Sequence, residues 1–191
     1  MAIAHKFSVP IYHGPVRSEE ILSRLIEIVE ERRVIDDLSS PWTDNIQTSF
    51  KYIDGQIGVN TFSDSPEVLD EITFHCSRYA QELSNFPHQI EIKETWYNIS
   101  NKGQYQNWHT HPKFDMSGCI YIKTNGTGID FQSPNPAYVH SKFPREFIDD
   151  KTTYFPGSGE VVIFPSFLSH SVPKNNDGER ISITFNANVK D

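Results

Sequence analysis

The residues of this chain best suited to chemistry are three histidines and an arginine. Trp108–Cys119 reads WHTHPKFDMSGC and carries His109 and His111 two positions apart. Gly159–Asn186 reads GEVVIFPSFLSHSVPKNNDGERISITFN and places His170 between two apolar segments, with Arg180 and Ser182 shortly after it. Residues two apart on a strand share a face, so His109 and His111 are expected to aim at one point. Neutral imidazole is a good ligand for divalent iron, zinc and copper. His170, arriving from a different strand, closes a facial set of three. Each feature alone has a bland reading: two surface histidines before Pro112, and one histidine hydrogen-bonded at a turn. Together those readings leave the spacing to Arg180 unexplained.

The last strand says more. In Arg180–Asn186 (RISITFN), Ile181, Ile183 and Phe185 share one face, while Arg180, Ser182, Thr184 and Asn186 share the other. A polar row opposite an apolar one faces either solvent or a polar cavity inside a barrel. The row begins with arginine, whose rigid fork binds a carboxylate through two parallel hydrogen bonds, and continues with a hydroxyl that adds another. That pair predicts a carboxylate-bearing cosubstrate.

The elements that must position these groups follow from periodicity. Phe7–Tyr12 (FSVPIY) reads as a short edge strand, because Pro10 cannot donate to a central ladder. Ser18 opens a helix, with Glu19 and Glu20 at the positive end of its dipole. Its apolar stripe is Ile21, Leu22, Leu25, Ile28 and Val29, and it ends near Arg33. Asp36–Ser63 is polar, with one strand or none. Ser65-Pro66-Glu67 starts a second helix whose stripe is Val68, Leu69, Ile72, Cys76, Tyr79, Ala80 and Leu83. Beyond residue 88 the chain turns β-branched and aromatic. Strands are expected at Ile90–Ile99, Ser117–Lys123, Ile129–Gln132, Glu160–Phe164 and Arg180–Ala187, separated by Gly- and Asn-rich turns. The expected class is α+β, mainly β. Residues 1–191 would form one domain, in which 1–88 supply helical and edge-strand support and 89–191 the site-bearing β core.

Composition narrows the function. The formal charge of −8 and pI near 5.4 argue against a broad nucleic-acid or anionic-membrane surface, and duplex nucleic acid is not an expected partner. No apolar run approaches the roughly 20 residues that span a bilayer. The N-terminus lacks the pattern of a secretory signal. Cys76 and Cys119 are too few for a disulfide framework. A cytoplasmic protein with free thiols is therefore expected.

With these motifs in view, the chain resembles the Fe(II)- and 2-oxoglutarate-dependent oxygenases. It is especially similar to a small branch, common in bacteria and their phages, with H-x-H-P-(x)4-S-G-x-x-Y and F-P-S-(x)3-H…R-I-S-I-x-F-N motifs. Here these read HTHPKFDMSGCIY (His109–Tyr121) and FPSFLSHSVPKNNDGERISITFN (Phe164–Asn186). FSVPIY and Trp96-x-Asn98-(x)4-Gly103 also fit, so the similarity covers most of the chain. The resemblance implies a double-stranded β-helix, or jelly roll, braced by the two helices and holding iron at one open end. By it, His109 and His170 match iron ligands, Arg180 the clamp on the far carboxylate of 2-oxoglutarate, and Ser182 its helper hydroxyl. Tyr121 matches a tyrosine that hydrogen-bonds the cosubstrate, and Asn107, Trp96 and Thr184 are expected to line the pocket. Fe(II), 2-oxoglutarate and O2 would be the cofactors, in a bacterial or phage-encoded enzyme. The implied reaction is hydroxylation of a small molecule or a protein or peptide side chain, with release of succinate and CO2. Oligomerisation is compatible with all of this.

One departure stands out. The superfamily usually has His-x-Asp or His-x-Glu, and this chain has His111 in the carboxylate's place. Three readings stay open: His111 is the third ligand, Asp115 swings in from the following loop, or only His109 and His170 bind with His111 beside them. A neutral third ligand would leave the site one unit more positive and strengthen anion binding. Two other functions remain in view. One is a three-histidine, cupin-type metal dioxygenase or isomerase without 2-oxoglutarate, which has no evident need of Arg180 and Ser182. The other is a non-catalytic jelly-roll binding module.

Overall fold

The computed structural model describes residues 8–41, 46–53, 56–57, 59–134 and 150–190. Its core is eight strands: β5 (Gln89–Ser100), β6 (Gln106–His109), β7 (Met116–Lys123), β8 (Ile129–Gln132), β9 (Lys151–Tyr154), β10 (Glu160–Pro165), β11 (His170–Val172) and β12 (Arg180–Lys190). They are preceded by β1 (Tyr12–Pro15), α1 (Glu19–Ile35), β2 (Gln47–Thr48), β3 (Tyr52–Ile53), β4 (Gln56–Ile57) and α2 (Pro66–Ser84). The major sheet has the order β1-β10-β7-β12-β5-β2 and the minor sheet β6-β11-β8-β9. The chain crosses between the two sheets at almost every connection from β5 to β12, and neighbouring strands pair antiparallel. This is the expected jelly roll.

Both helices lie on the outside of the major sheet. Ser18 caps α1, its hydroxyl accepting from the Ile21 amide at 3.3 Å. Leu25, Ile28 and Val29 from α1 and Val68, Ile72, Cys76 and Ala80 from α2 form one core with Ile181, Ile183 and Phe185 of β12. The apolar row of the last strand is therefore spent on the helices, which turns its polar row inward. Gly118 in β7 makes room for this packing: a Cβ there would meet the Phe185 ring at 2.5 Å. A second, smaller core between the sheets holds Tyr121, Ile129, Phe131, Val162, Phe164 and Leu168.

Several expectations are corrected. The first strand is Tyr12–Pro15 rather than Phe7–Tyr12; Phe7 lies outside the described residues. Pairing with β10 begins two residues beyond Pro10, which has no N–H to give, and the strand does sit at a sheet edge. α1 runs on to Ile35. Leu83 is exposed in the last turn of α2, next to the left-handed cap at Asn85, and so leaves the buried stripe. The described residues of the polar segment hold three two-residue strands instead of one or none. β9 was not anticipated, and β6 and β11 were implied by the strand placement of the histidines without bounds; all three belong to the minor sheet. They are three or four residues long and rich in polar groups, too short for alternation to register. No helix among the described residues is long and apolar enough to cross a membrane.

Candidate metal centre

His109 ends β6 and His170 begins β11, and the two are direct cross-strand partners. Their rings lie 4.2 Å apart between centroids, each with the His111 ring at 5.1 Å. Each of the three offers a ligand nitrogen within 4.8 Å of the others. The convergence expected of His109 and His111 occurs, but for a different reason. β6 stops at His109, and His111 is brought in by the following turn, its amide donating to the Ser166 carbonyl at 2.9 Å.

Backbone carbonyls orient two of the rings. His109 Nδ1 lies 2.7 Å from the Asn107 carbonyl and His170 Nδ1 2.9 Å from that of Leu168. A carbonyl only accepts, so both Nδ1 atoms carry the proton and both Nε2 atoms present lone pairs. Burial, reinforced by His109, holds His170 down at about 2 and His111 at about 3. Both are therefore neutral imidazoles near pH 7, the form that binds a metal. The donor set fits a divalent transition metal.

The same burial has a consequence for folding. An unfolded histidine titrates near 6.5 and the folded His170 near 2, so between those values the unfolded chain binds a proton that the native chain refuses. Stability of the metal-free chain is thus expected to fall as pH drops below 6.5. The slope is about 1.4 kcal/mol per pH unit for each such histidine. Urea unfolding at pH 7, 6 and 5 checks this, and His170→Gln should remove one histidine's share of the slope.

The polar row of β12 completes the site. Arg180, Ser182 and Thr184 line the same cavity as the three histidines, together with Trp96, Asn98 and Cys119. Arg180 is 4% exposed and makes no ion pair among the described residues. Its guanidinium carbon sits 5.0 Å from the centre of the Tyr121 ring. Among the described residues, four buried side-chain polar atoms have no hydrogen-bond partner: Arg180 Nε, Tyr121 Oη, Trp96 Nε1 and Asn98 Oδ1. Leaving one such group unsatisfied costs about 1–3 kcal/mol, so the three that belong to lining residues, on Arg180, Trp96 and Asn98, mark a cavity that waits for a polar ligand. Arg180 Nε and Trp96 Nε1 can donate, which suits a carboxylate. The cavity is tight, with about 20 Å³ of room, enough for one water.

Two expected residues lie elsewhere. Asn107 is exposed, and Gln106 lines the cavity in its stead. The ladder of β6 with β11 is irregular here: Gln106 and His109, three apart, oppose Val172 and His170, two apart. Such a bulge shifts which side chains face inward. Asp115 is also exposed, outside the histidine cluster, and its carboxylate accepts from the Val189 amide at 2.9 Å. Sequence reasoning missed Glu94, buried on β5 beside the site, and the role of Asn186 next to it. Burial raises the Glu94 carboxyl, partly offset by the hydrogen bond from Asn186. A glutamate among strand residues carries no sequence signal of burial; only its cross-strand register with Asn186 reveals it.

Residues 94–186 match a family described as "Putative 2OG-Fe(II) oxygenase". A Burkholderia pseudomallei oxidoreductase of the 2OG-Fe(II) oxygenase family superposes with a TM-score of 0.64 at 14% identity, over 93% of this chain and 84% of its own. HygX from Streptomyces hygroscopicus, solved with nickel and 2-oxoglutarate bound, gives 0.65 at 12% identity, over 94% and 83%. A Pseudomonas putida prolyl-4-hydroxylase gives 0.63 at 14% identity, over 96% and 95%. At these identities the likeness is one of fold. No curated protein matches the chain.

Proposed function

We propose that this chain, which belongs to the 2OG-Fe(II) oxygenases through residues 94–186, is a non-haem Fe(II)- and 2-oxoglutarate-dependent dioxygenase that hydroxylates a small molecule or a protein side chain. One observation carries the reading: a single cavity holds three convergent imidazoles and a buried arginine whose Nε has no partner. Fe(II) with 2-oxoglutarate bound would supply O2 activation, the cosubstrate leaving as succinate and CO2.

The chain's own residues bind, orient and exclude water. His109 and His170 present Nε2 lone pairs from two paired strands, so their separation is set by the sheet. His111 completes the set from the turn. With three imidazoles as the candidate ligands and one buried guanidinium, no carboxylate stands among the metal-binding groups to repel a dianion, which favours a diacid cosubstrate. Arg180 would take its far carboxylate through Nε and a terminal nitrogen, with the Ser182 hydroxyl beside it. Trp96 Nε1 is a further donor within the same walls. Such a fit supplies positioning rather than chemistry.

The reading without 2-oxoglutarate leaves Arg180 and Ser182 without a task, and a plain binding module leaves the three oriented imidazoles without one. Adding 2-oxoglutarate anaerobically to the Fe(II)-loaded protein is expected to produce a visible metal-to-ligand charge-transfer band. Fe(II) binding with no such band would overturn the cosubstrate.

A further inference from the structure

Behind His111 lies a set of polar groups with no task in the reaction above. Glu94 on β5 is 3% exposed, and its Oε2 accepts from Asn186 Nδ2 at 2.6 Å. The same nitrogen lies 3.4 Å from His111 Nδ1. Asn186 Oδ1 accepts from the Ser117 hydroxyl at 2.6 Å, and that hydroxyl is 2.7 Å from Ser166 Oγ. On its other side, His111 Nε2 is 3.3 Å from His170 Nε2.

The protons in this chain of contacts can be assigned. His170 gives its only ring proton to the Leu168 carbonyl, so its Nε2 accepts. Asn186 Nδ2 has two hydrogens, one for the Glu94 carboxylate and one for His111 Nδ1, which must then be an acceptor. The His111 proton therefore sits on Nε2 and points at His170 Nε2. Ser166 donates to Ser117, and Ser117 to Asn186. Every donor meets an acceptor.

A ligating His111 needs the other tautomer, with Nε2 bare and the proton on Nδ1. That proton would face the Asn186 N–H2. Turning the amide over relieves the clash, since Oδ1 would accept from His111 and Nδ2 would meet Ser117, whose hydroxyl then turns to Ser166. The turn also sets Oδ1 against the Glu94 oxygen that accepts from Nδ2 at 2.6 Å, and two acceptors at that distance repel.

We propose that Glu94 and Asn186 are positioning residues that select the tautomer of His111: Glu94 Oε2, accepting from Asn186 Nδ2, fixes the amide so that the imidazole proton stays on Nε2, and thereby opposes His111 as third metal ligand. The usual partner behind a metal-bound histidine accepts from its second ring nitrogen. Here the partner donates, and the carboxylate one residue further back is what makes it do so. This inference rests on the metal-site reading. It makes His111 the weakest of the three ligands and Glu94 the residue that keeps it so.

The test uses the full chain without metal, then with Co(II) alone. Glu94→Gln replaces one acceptor oxygen and offers an N–H to a turned amide. Histidine 15N spectra, with His111 assigned by His111→Ala, are expected to show Nε2–H in the wild type and a shift towards Nδ1–H in E94Q. Co(II) binding should tighten about tenfold in E94Q, the scale on which supporting residues act. An Nδ1–H tautomer in the wild type overturns the proposal, as does an E94Q protein with unchanged tautomer and unchanged Co(II) affinity. If E94Q does not fold, the wild-type spectrum alone still decides. A wild type with the expected tautomer that fails to bind Co(II) sinks the metal reading and leaves the relay standing.

Discussion

Arg180→Met is expected to weaken 2-oxoglutarate binding by about 30- to 4,000-fold, corresponding to the 2–5 kcal/mol lost when one partner of a buried, hydrogen-bonded charge pair is removed. The charge-transfer band of the Fe(II) protein should vanish at concentrations that saturate the wild type. Fe(II) binding itself should survive, because no nitrogen of Arg180 belongs to the histidine cluster. Without cosubstrate the variant should melt at the wild-type temperature or above it. Arg180 is a buried charge whose neighbours are the Tyr121 ring and cavity walls, and a methionine of similar length removes that desolvation penalty. Binding lost with stability kept or raised is the signature of a group held ready for a ligand. Parallel loss of both would assign Arg180 to the fold, and retained binding would remove it from the cosubstrate site.

The second large effect is at His170. His170→Ala is expected to weaken Fe(II) or Co(II) binding by more than the 10- to 100-fold that follows loss of a residue merely supporting a ligand. Turnover with O2 should fall to background. His170 is placed by both neighbours in the minor sheet, His109 across one ladder and Phe131 across the other, and its Nδ1 is tied to the Leu168 carbonyl. His111→Ala should cost less, because its Nε2 proton must first be displaced against the pull of Asn186 and Glu94. Equal losses from both substitutions would mean that the third imidazole binds as strongly as the first two. Metal titration by calorimetry separates the cases before any activity is measured.

Most of the major sheet was legible because its strands are long and alternate. β12 shows why most clearly. Ile181, Ile183 and Phe185 on one face and Arg180, Ser182, Thr184 and Asn186 on the other predict a strand with a dry side and a wet one. α1 and α2 were legible from their caps and stripes. In the minor sheet only β8 was legible with its bounds, since β6, β9 and β11 are short, polar and stabilised by pairing rather than by their own pattern. Asn107 illustrates the cost: strict alternation puts it with His109, and the irregular β6–β11 ladder puts Gln106 there instead.

The sequence by itself determined the residue types of the site and the kind of chemistry open to them. Histidines near Pro112 and after Phe164, with Arg-x-Ser on an amphipathic strand, already spoke for a metal and an anion. Only the tertiary structure decided which groups share the cavity, that Asp115 is bonded to the Val189 amide outside the cluster, and that Glu94 stands behind His111. The physical reason is that ligand type is a property of one residue. A site's geometry, its unpaired buried atoms and the tautomer of an imidazole depend on hydrogen bonds between residues 59 to 92 positions apart, and only cross-strand register brings those together.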